Sequence, residues 1–195
     1  MARWDPGTEE RLTQAALGLY AEHGYDNVTV TQIAERAGIT RRSYFRYFPD
    51  KREVLFAGSQ RLPAAIGEAV LAARETTSPL SAALDALAQV GTLLVEHIDH
   101  TAERRTVIES SPELQERERT KLAAITSAIQ DALQQRNVER SSASLAAQIA
   151  TVAFQNAFDR WVDAYGQKDF AACLHAVATS LRDAVTTDTG SRHPG

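Results

Sequence analysis

Six basic residues lie between positions 36 and 52, with one acidic residue, Asp50, among them. The basic residues are Arg36, Arg41, Arg42, Arg46, Lys51 and Arg52. Such side chains neutralise phosphates, and a guanidinium fork also matches the acceptor pair on the major-groove edge of guanine. A charge cluster by itself is more typical of a solvated helix surface. Whether the cluster binds nucleic acid or is only a solvated surface depends on the secondary-structure elements that carry it.

The cluster is local, because the chain of 195 residues has a net charge of -4. Residues 1–60 hold eight basic and eight acidic residues, so the acidic excess lies in the rest. The 44% of hydrophobic residues suffices for a sizeable core. Neither a secretory signal nor a membrane-spanning run is evident, which predicts a cytoplasmic protein. The single Cys173 cannot form an internal disulfide, and we expect it to pack in a helix; no metal or cofactor is expected.

Two short helices joined by a tight turn are predicted to carry the cluster. A first helix is predicted over Thr8–His23 from its apolar spacing. Thr29 and Gln32 form a capping box that opens a second helix, and Gly38 supplies the turn. Thr40 can cap the third helix, which runs from Arg41 until Pro49 stops it.

Two short helices of this kind are typical of a helix-turn-helix, whose second helix enters the DNA major groove. The first turn of that helix carries Arg41, Arg42 and Ser43. Either arginine can bind guanine, and Ser43 is small enough to let the backbones approach. Phosphate contacts are expected from Thr29, Thr40, Tyr47 and Lys51. For the two threonines, a role as caps only is equally open.

The remaining sequence predicts further helices and no strand, so the fold class is all-α with about nine helices. Asp50 and Glu53 form a box that opens a fourth helix continuing to about Arg74. Pro63 predicts a kink near Gln60 and a possible hinge. Later helices are expected to start at Pro79, near Pro112 and at Ser141 or Ser142, the last of these ending at Gly166. A final amphipathic helix follows.

The run from Gly24 to Leu55, which includes VTQIAERAGIT and YFRYFPDK, resembles the TetR (tetracycline repressor) family of bacterial regulators. The resemblance implies a DNA-binding domain over residues 1–50 and a helical domain over 51–187 that binds a ligand and dimerises through its last two long helices. Residues 188–195 are expected to form a flexible tail. The family usually has a phosphate-contacting tyrosine where this chain has Phe45, and Tyr47 is a possible substitute.

The resemblance implies a transcriptional repressor that binds a palindromic DNA operator as a homodimer and is released by a small-molecule effector. The alternative is a helical ligand-binding or adaptor protein of the same fold that does not bind DNA. An enzyme is disfavoured, because no convergent set of nucleophile, histidine and carboxylate is found.

Two weaker patterns remain in the C-terminal part. Phe154, Phe158, Trp161 and Tyr165 recur along one side of a helix, which predicts core or dimer contact, or the wall of the ligand pocket that the resemblance implies. His97 is a further pocket candidate. Glu96, His100 and Glu103 are expected to share a helix face. Their spacing is similar to that of metal sites in helical bundles, but a solvated or capping cluster is favoured because the two required Glu-x-x-His pairs are missing.

Overall fold

The computed structural model of the chain describes residues 7–96, 100–165 and 167–186. These residues form α-helices and two short 3₁₀ helices and contain no strand, so the predicted all-α fold is confirmed. The helices are α1 (Thr8–His23), α2 (Val30–Arg36), α3 (Arg41–Tyr44), α4 (Leu62–Ala72), α5 (Pro79–Val95), α6 (Thr101–Glu109), α7 (Pro112–Gln135), α8 (Arg140–Asp163) and α9 (Phe170–Thr186). The 3₁₀ helices are Glu53–Phe56 and Ser59–Arg61. None of the helices in the described ranges is long and apolar enough to cross a bilayer.

The described residues divide into two compact units. The N-terminal unit comprises the residues up to Arg61 together with His100–Lys121, and the C-terminal unit comprises the others. The N-terminal unit therefore extends beyond the residue-50 boundary inferred from the sequence, and it recruits α6 and the start of α7 from much later in the chain. The expected tail, residues 188–195, lies outside the described residues.

In the N-terminal unit, α1 buries the predicted apolar side, including Leu12, Ala16 and Tyr20. Gly24 ends the helix with a φ of 78°, and its N–H donates to the carbonyl of Tyr20 at 2.9 Å. Such a φ favours glycine, which has no Cβ to clash with the backbone. The first helix thus has the predicted bounds.

The segment after α3 differs from the expected kinked helix. The Asp50 carboxylate accepts from the N–H groups of Arg52 at 2.8 Å and Glu53 at 3.1 Å, as a helix cap does. The 3₁₀ helix that follows ends at Phe56, and Gly58 has a φ of 76°. Helix α4 then begins at Leu62, so Pro63 lies in a first turn, where its missing N–H costs no hydrogen bond. The predicted kink near Gln60 is wrong, because the chain breaks at Ala57 and Gly58 instead.

Two later expectations also need correction. Helix α5 ends at Val95 and His100 has a φ of 56°, so Glu96, His100 and Glu103 do not share one helix face. Helix α8 begins at Arg140 rather than at Ser141 or Ser142, because the Glu139 carboxylate accepts from the N–H groups of both serines. Its predicted end at Gly166 lies outside the described residues.

The C-terminal unit is built on close contact between α5, α8 and α9. One face of α8 is fully buried through small residues, which are Ala143, Ala147, Ala150, Ala153 and Ala157. In α5, a Cβ at Gly91 would lie 2.2 Å from the ring of Phe170, so the absence of a side chain there admits the ring. Cys173 is buried on α9, where a packing role was predicted.

Candidate nucleic-acid interface

A tight turn joins α2 to α3. Gly38 has a φ of 73°, and its N–H donates to the carbonyl of Glu35 at 3.0 Å. The N–H of Ile39 donates to the carbonyl of Ala34 at 2.9 Å, which closes the end of α2. These paired bonds have the pattern of a Schellman motif, in which the positive φ reverses the chain direction over a few residues. The turn is therefore set by backbone geometry.

Helix α3 is held from behind by Tyr44. This side chain is completely buried, and its hydroxyl donates to the carbonyl of Asp50 at 2.9 Å. Burial raises the pKa of Tyr44, so the phenol stays a neutral donor. Its ring also packs on Phe48 with the centroids 5.7 Å apart. A helix of only four residues thus has a fixed position, and the side chains opposite Tyr44 point away from the core.

Both predicted caps are present. The Thr29 hydroxyl accepts from the N–H of Gln32 at 3.3 Å, while the Gln32 amide oxygen accepts from the N–H of Thr29 at 2.8 Å. The Thr40 hydroxyl accepts from the N–H of Ser43 at 3.1 Å and lies 2.9 Å from the Ser43 hydroxyl. The two threonines are exposed. Their capping role is established, and their contact with DNA stays a prediction.

Three arginines extend from the outer surface of α3 and the turn after it. Arg41, Arg42 and Arg46 are exposed, and none has an ion pair or hydrogen bond with another side chain in the described ranges. Two neighbouring arginines, in contrast, have acidic partners. Arg36 forms a bidentate pair with Glu22 at 2.7 and 2.8 Å. Arg52 likewise pairs with Asp50 at 2.7 Å. The positive charge on this surface is therefore uncompensated.

Lys51 does not belong to that surface. Its ammonium donates to the carbonyls of Tyr25 at 2.9 Å and Val28 at 3.2 Å, and it lies 4.1 Å from the centroid of the Tyr25 ring. The carbonyl of Lys51 in turn accepts from the hydroxyl of Tyr20 at 2.6 Å. These contacts tie the loop before α2 to the segment after α3. The structure therefore gives Lys51 an internal role, and its expected phosphate contact stays a prediction.

Two aromatic residues flank the arginines. Tyr47 is half-buried against the core, and Phe45 is 44% exposed. In the sequence, Phe45 stands out only as a departure from a family pattern, and Arg46 is not among the predicted DNA-binding residues. The sequence predicts a helix from Arg41 up to Pro49, and on such a helix Arg46 would lie one turn after Arg42, a spacing that could have added it to the predicted set.

A buried ion cluster supports the interface from inside. The Glu53 side chain is 2% exposed and accepts from Arg117 Nε at 2.5 Å and Lys121 Nζ at 2.9 Å. Burial alone would raise the pKa of Glu53, but these hydrogen bonds outweigh it and the pKa is lowered. Glu53 therefore stays ionised and fixes the start of α7 to the helix-turn-helix.

The predicted pocket residues are dispersed in the structure. Phe154 and Trp161 are buried, and Phe158 is partly buried with its ring 5.8 Å from that of Trp161. Tyr165 follows the end of α8 and is 84% exposed, so it does not continue the stripe. His97 lies outside the described residues. A pocket of about 40 Å³ lies between α5 and α9, and none of the predicted residues lines it.

The geometry of α2, the Gly38 turn and α3 defines a helix-turn-helix with an arginine surface in the N-terminal unit. Residues 12–57 match the model of the bacterial regulatory proteins of the tetR family. The N-terminal part of the chain therefore matches the DNA-binding domain of the TetR family, and the resemblance noted in the sequence is confirmed over these residues.

The curated relatives agree over the same part of the chain. The transcriptional regulator TcmR of Streptomyces glaucescens is 41% identical over 68 residues, which is 35% of this chain and 28% of TcmR. The regulator SrpR of Pseudomonas putida is 40% identical over 50 residues, which is 26% of this chain and 24% of SrpR. The aligned part thus spans about a quarter of these relatives' length.

Solved structures extend the similarity in fold. A complex of SmeT with triclosan superposes with a TM-score of 0.60 at 16% identity, over 89% of this chain and 91% of SmeT. The fatty acid degradation regulator FadR from Bacillus halodurans gives 0.55 at 19% identity, over 98% and 100% of the two chains. At such identities the likeness establishes the fold.

Proposed function

We propose that the protein is a cytoplasmic transcriptional repressor that binds a palindromic DNA operator as a homodimer and is released by a small-molecule effector. The observation that carries the proposal is the set of exposed, uncompensated guanidinium groups of Arg41, Arg42 and Arg46. They lie on α3 and the turn after it, which Tyr44 anchors to the core. Cations that lack protein partners lose least by exchanging water for phosphate or guanine.

The DNA-facing set combines these arginines with polar groups around them. Arg41, Arg42 and Ser43 occupy the first turn of α3, the part of a recognition helix that meets base edges. Thr29, Thr40 and Tyr47 supply hydroxyl groups at the rim of this surface, which suits phosphate oxygens. Arg46 joins the set as a further phosphate contact because it is exposed beside them.

Dimerisation is supported by an apolar stripe on the outside of α8. Leu145, Ile149 and Val152 are 60%, 40% and 49% exposed and lie four and three residues apart, on one face. A second copy of the chain is the occupant that we propose, since two recognition helices are needed to read two half-sites. Ile149→Glu should give monomers in analytical ultracentrifugation, whereas Leu71→Glu, at another exposed leucine, should not. A dimeric Ile149→Glu variant would contradict this interface.

The effector is proposed to enter the apolar interior between α5, α8 and α9. The ring of Phe170 occupies this space, lying against Gly91 and 5.5 Å from the ring of Phe154. An apolar molecule in this position must displace Phe170 and so select a different packing of α9. Such a molecule releases DNA only through its differential affinity for the two arrangements.

Selection of binding sites from random DNA duplexes with the full-length protein tests the DNA-binding function. We expect enrichment of an inverted repeat whose half-sites are about 34–36 Å apart, one turn of the double helix. Arg42→Ala should enrich nothing, whereas Arg140→Ala, which removes an exposed arginine from α8, should enrich the parental site. Failure of the parent to enrich any duplex would favour the adaptor alternative.

The enriched duplex also tests effector release. Any compound that weakens DNA binding by a given factor must itself bind the DNA-free protein more tightly than the DNA complex by the same factor. Triclosan, which SmeT binds, is one apolar probe for this measurement. A compound that lowers DNA affinity without this reciprocal difference would act by another route.

A further inference from the structure

The exposed ring of Phe45 lies next to the guanidinium of Arg41. Phe45 directly follows α3, one helical turn after Arg41, and the guanidinium carbon lies 5.3 Å from the ring centroid. The ring also meets Tyr44 edge-on, with an interplanar angle of 83° and 5.7 Å between centroids. Because Tyr44 is fully buried, it fixes the position of Phe45. The two outward side chains therefore form a supported pair.

The cation–π contact with Phe45 restrains the position of the Arg41 guanidinium. A guanidinium over an aromatic face uses its flat side for the cation–π contact and keeps its in-plane N–H donors free. Those donors form the fork that binds O6 and N7 of guanine. The contact with Phe45 thus restricts the Arg41 side chain before DNA binds. Binding then costs less side-chain conformational entropy.

Phe45 itself can make only an apolar contact with DNA. It has no hydroxyl, so it cannot donate to a phosphate, yet 44% of it remains exposed at the proposed interface. The one apolar group on the major-groove edge of a base pair is the C5 methyl of thymine. Contact with that methyl would remove both apolar surfaces from water.

We propose that Arg41 and Phe45 read one base step together, with Arg41 on a guanine and Phe45 on the C5 methyl of a directly adjacent thymine. Neighbouring bases on one strand are about 3.4 Å apart along the helix axis, which suits two groups in stacking contact. The inference rests on the proposed DNA-binding function and assigns Phe45 a role in sequence specificity. The chemical feature that Arg41 and Phe45 together recognise is a 5-methylpyrimidine beside guanine.

The test uses the duplex enriched from random sequences and full-length protein. Each thymine next to a guanine is replaced in turn by deoxyuridine, which removes the methyl and leaves base pairing intact. For one thymine per half-site we expect the affinity of the parent protein to fall about fourfold, the effect of losing one buried methyl. Replacing the neighbouring guanine by 7-deazaguanine, which lacks N7, should also weaken binding.

Substitution of Phe45 assigns the methyl effect to this residue. Phe45→Ala should bind the thymine and deoxyuridine duplexes equally, and Phe45→Leu should retain part of the difference. Tyr165→Ala, at an exposed aromatic residue of the C-terminal unit, should keep the full parental difference. Circular dichroism of Phe45→Ala should match the parent, since the ring lies on the surface.

The outcomes separate this inference from the proposed function. Enrichment of a site without a guanine–thymine step, or equal parental affinity for thymine and deoxyuridine at every such step, would overturn the reading pair and leave DNA binding intact. A loss of affinity on removal of the methyl that persists in Phe45→Ala would also overturn the reading pair. A sharp kink of the DNA caused by insertion of Phe45 between bases would overturn it as well. If the parent enriches no duplex, both the function and this inference fail.

Discussion

The N-terminal and C-terminal units both have apolar cores, but they differ in the contacts that supplement those cores. In the N-terminal unit, directional polar bonds join distant segments: Tyr44 to the carbonyl of Asp50, Lys51 to the loop before α2, and Glu53 to α7. In the C-terminal unit, small apolar residues let helices approach closely, as at Gly91 and along the alanines of α8. Polar contacts are also present there. The Thr126 hydroxyl donates to the Thr151 hydroxyl at 2.9 Å, and the Arg136 guanidinium donates to the carbonyls of Val70 at 2.9 Å and Arg74 at 2.7 Å.

The difference matches the work that each unit is proposed to do. Directional bonds with narrow geometry favour a single arrangement, which suits a surface that must present Arg41 and its neighbours in a fixed register. Close packing of small apolar groups has no preferred direction, so two packings can differ little in free energy. This suits a unit in which an effector selects between arrangements.

The largest effect is expected from breaking the ion cluster of the N-terminal unit. Glu53→Gln leaves Arg117 and Lys121 beside each other without their carboxylate, and we expect a loss of about 3 kcal/mol in the free energy of unfolding. Urea denaturation followed by circular dichroism measures it. The control is Glu116→Gln, whose exposed pair with Arg119 should contribute less than about 1 kcal/mol. If both variants lower the free energy of unfolding equally, the Glu53 cluster stabilises the N-terminal unit no more than an exposed ion pair does.

A smaller effect is expected from adding one methyl to the C-terminal unit. Gly91→Ala places a Cβ 2.2 Å from the Phe170 ring, and the forced shift should cost about 1–3 kcal/mol in the free energy of unfolding. Gly67→Ala is the matched control, because its Cβ would lie 3.7 Å from the carbonyl oxygen of Ala128, an ordinary contact. It should stabilise the protein by about 0.5–1 kcal/mol, the usual gain over glycine in a helix. If Gly91→Ala has the parental free energy of unfolding, close packing against Gly91 does not position Phe170.

The pH dependence of the free energy of unfolding gives a further test of the Glu53 cluster. The pKa of Glu53 is lowered from 4.5 in the folded protein, so its contribution is complete above 4.5 and is lost as the pH falls through the lowered value. The stability difference between the parent and Glu53→Gln should therefore be constant near neutrality and shrink in acid. No such shrinkage is expected for Gly91→Ala, which involves no titrating group. Thermal unfolding of the three proteins between about pH 7 and pH 3 is the measurement, and a Glu53 difference that grows in acid would contradict the assigned sign.

Local signals in the sequence predicted most of the N-terminal unit. The capping box of Thr29 and Gln32, the turn at Gly38 and the bounds of α1 all depend on residues within a few positions of one another, and the structure confirms them. The cap by Asp50 was also found, but not the break at Ala57 and Gly58. The apolar residues on both sides of the break fit one helical period, so the pattern hides it.

Contacts between distant segments could not be predicted in the same way. Nothing local to Lys51 shows that its ammonium meets the carbonyls of Tyr25 and Val28, and so it was grouped with the outward cations. The partners of Glu53 are 64 and 68 residues away, on a helix that the sequence assigned to the other domain. Tyr165 was placed in the aromatic stripe because its spacing fits, although the helix ends two residues earlier.

The uncompensated arginines of α3 and its following turn are proposed to bind DNA. The most direct test is the dependence of the binding constant on salt concentration for the enriched duplex, measured by fluorescence anisotropy. Each phosphate-contacting arginine contributes about 0.9 to the slope of log K against log salt. Arg46→Ala removes one arginine from each subunit of the proposed dimer, so we predict that it lowers the slope by about 1.8. The Arg41→Ala, Arg42→Ala and Arg46→Ala triple variant should lose specific binding, and Arg140→Ala should match the parent. Parental affinity and slope in the triple variant would contradict the account.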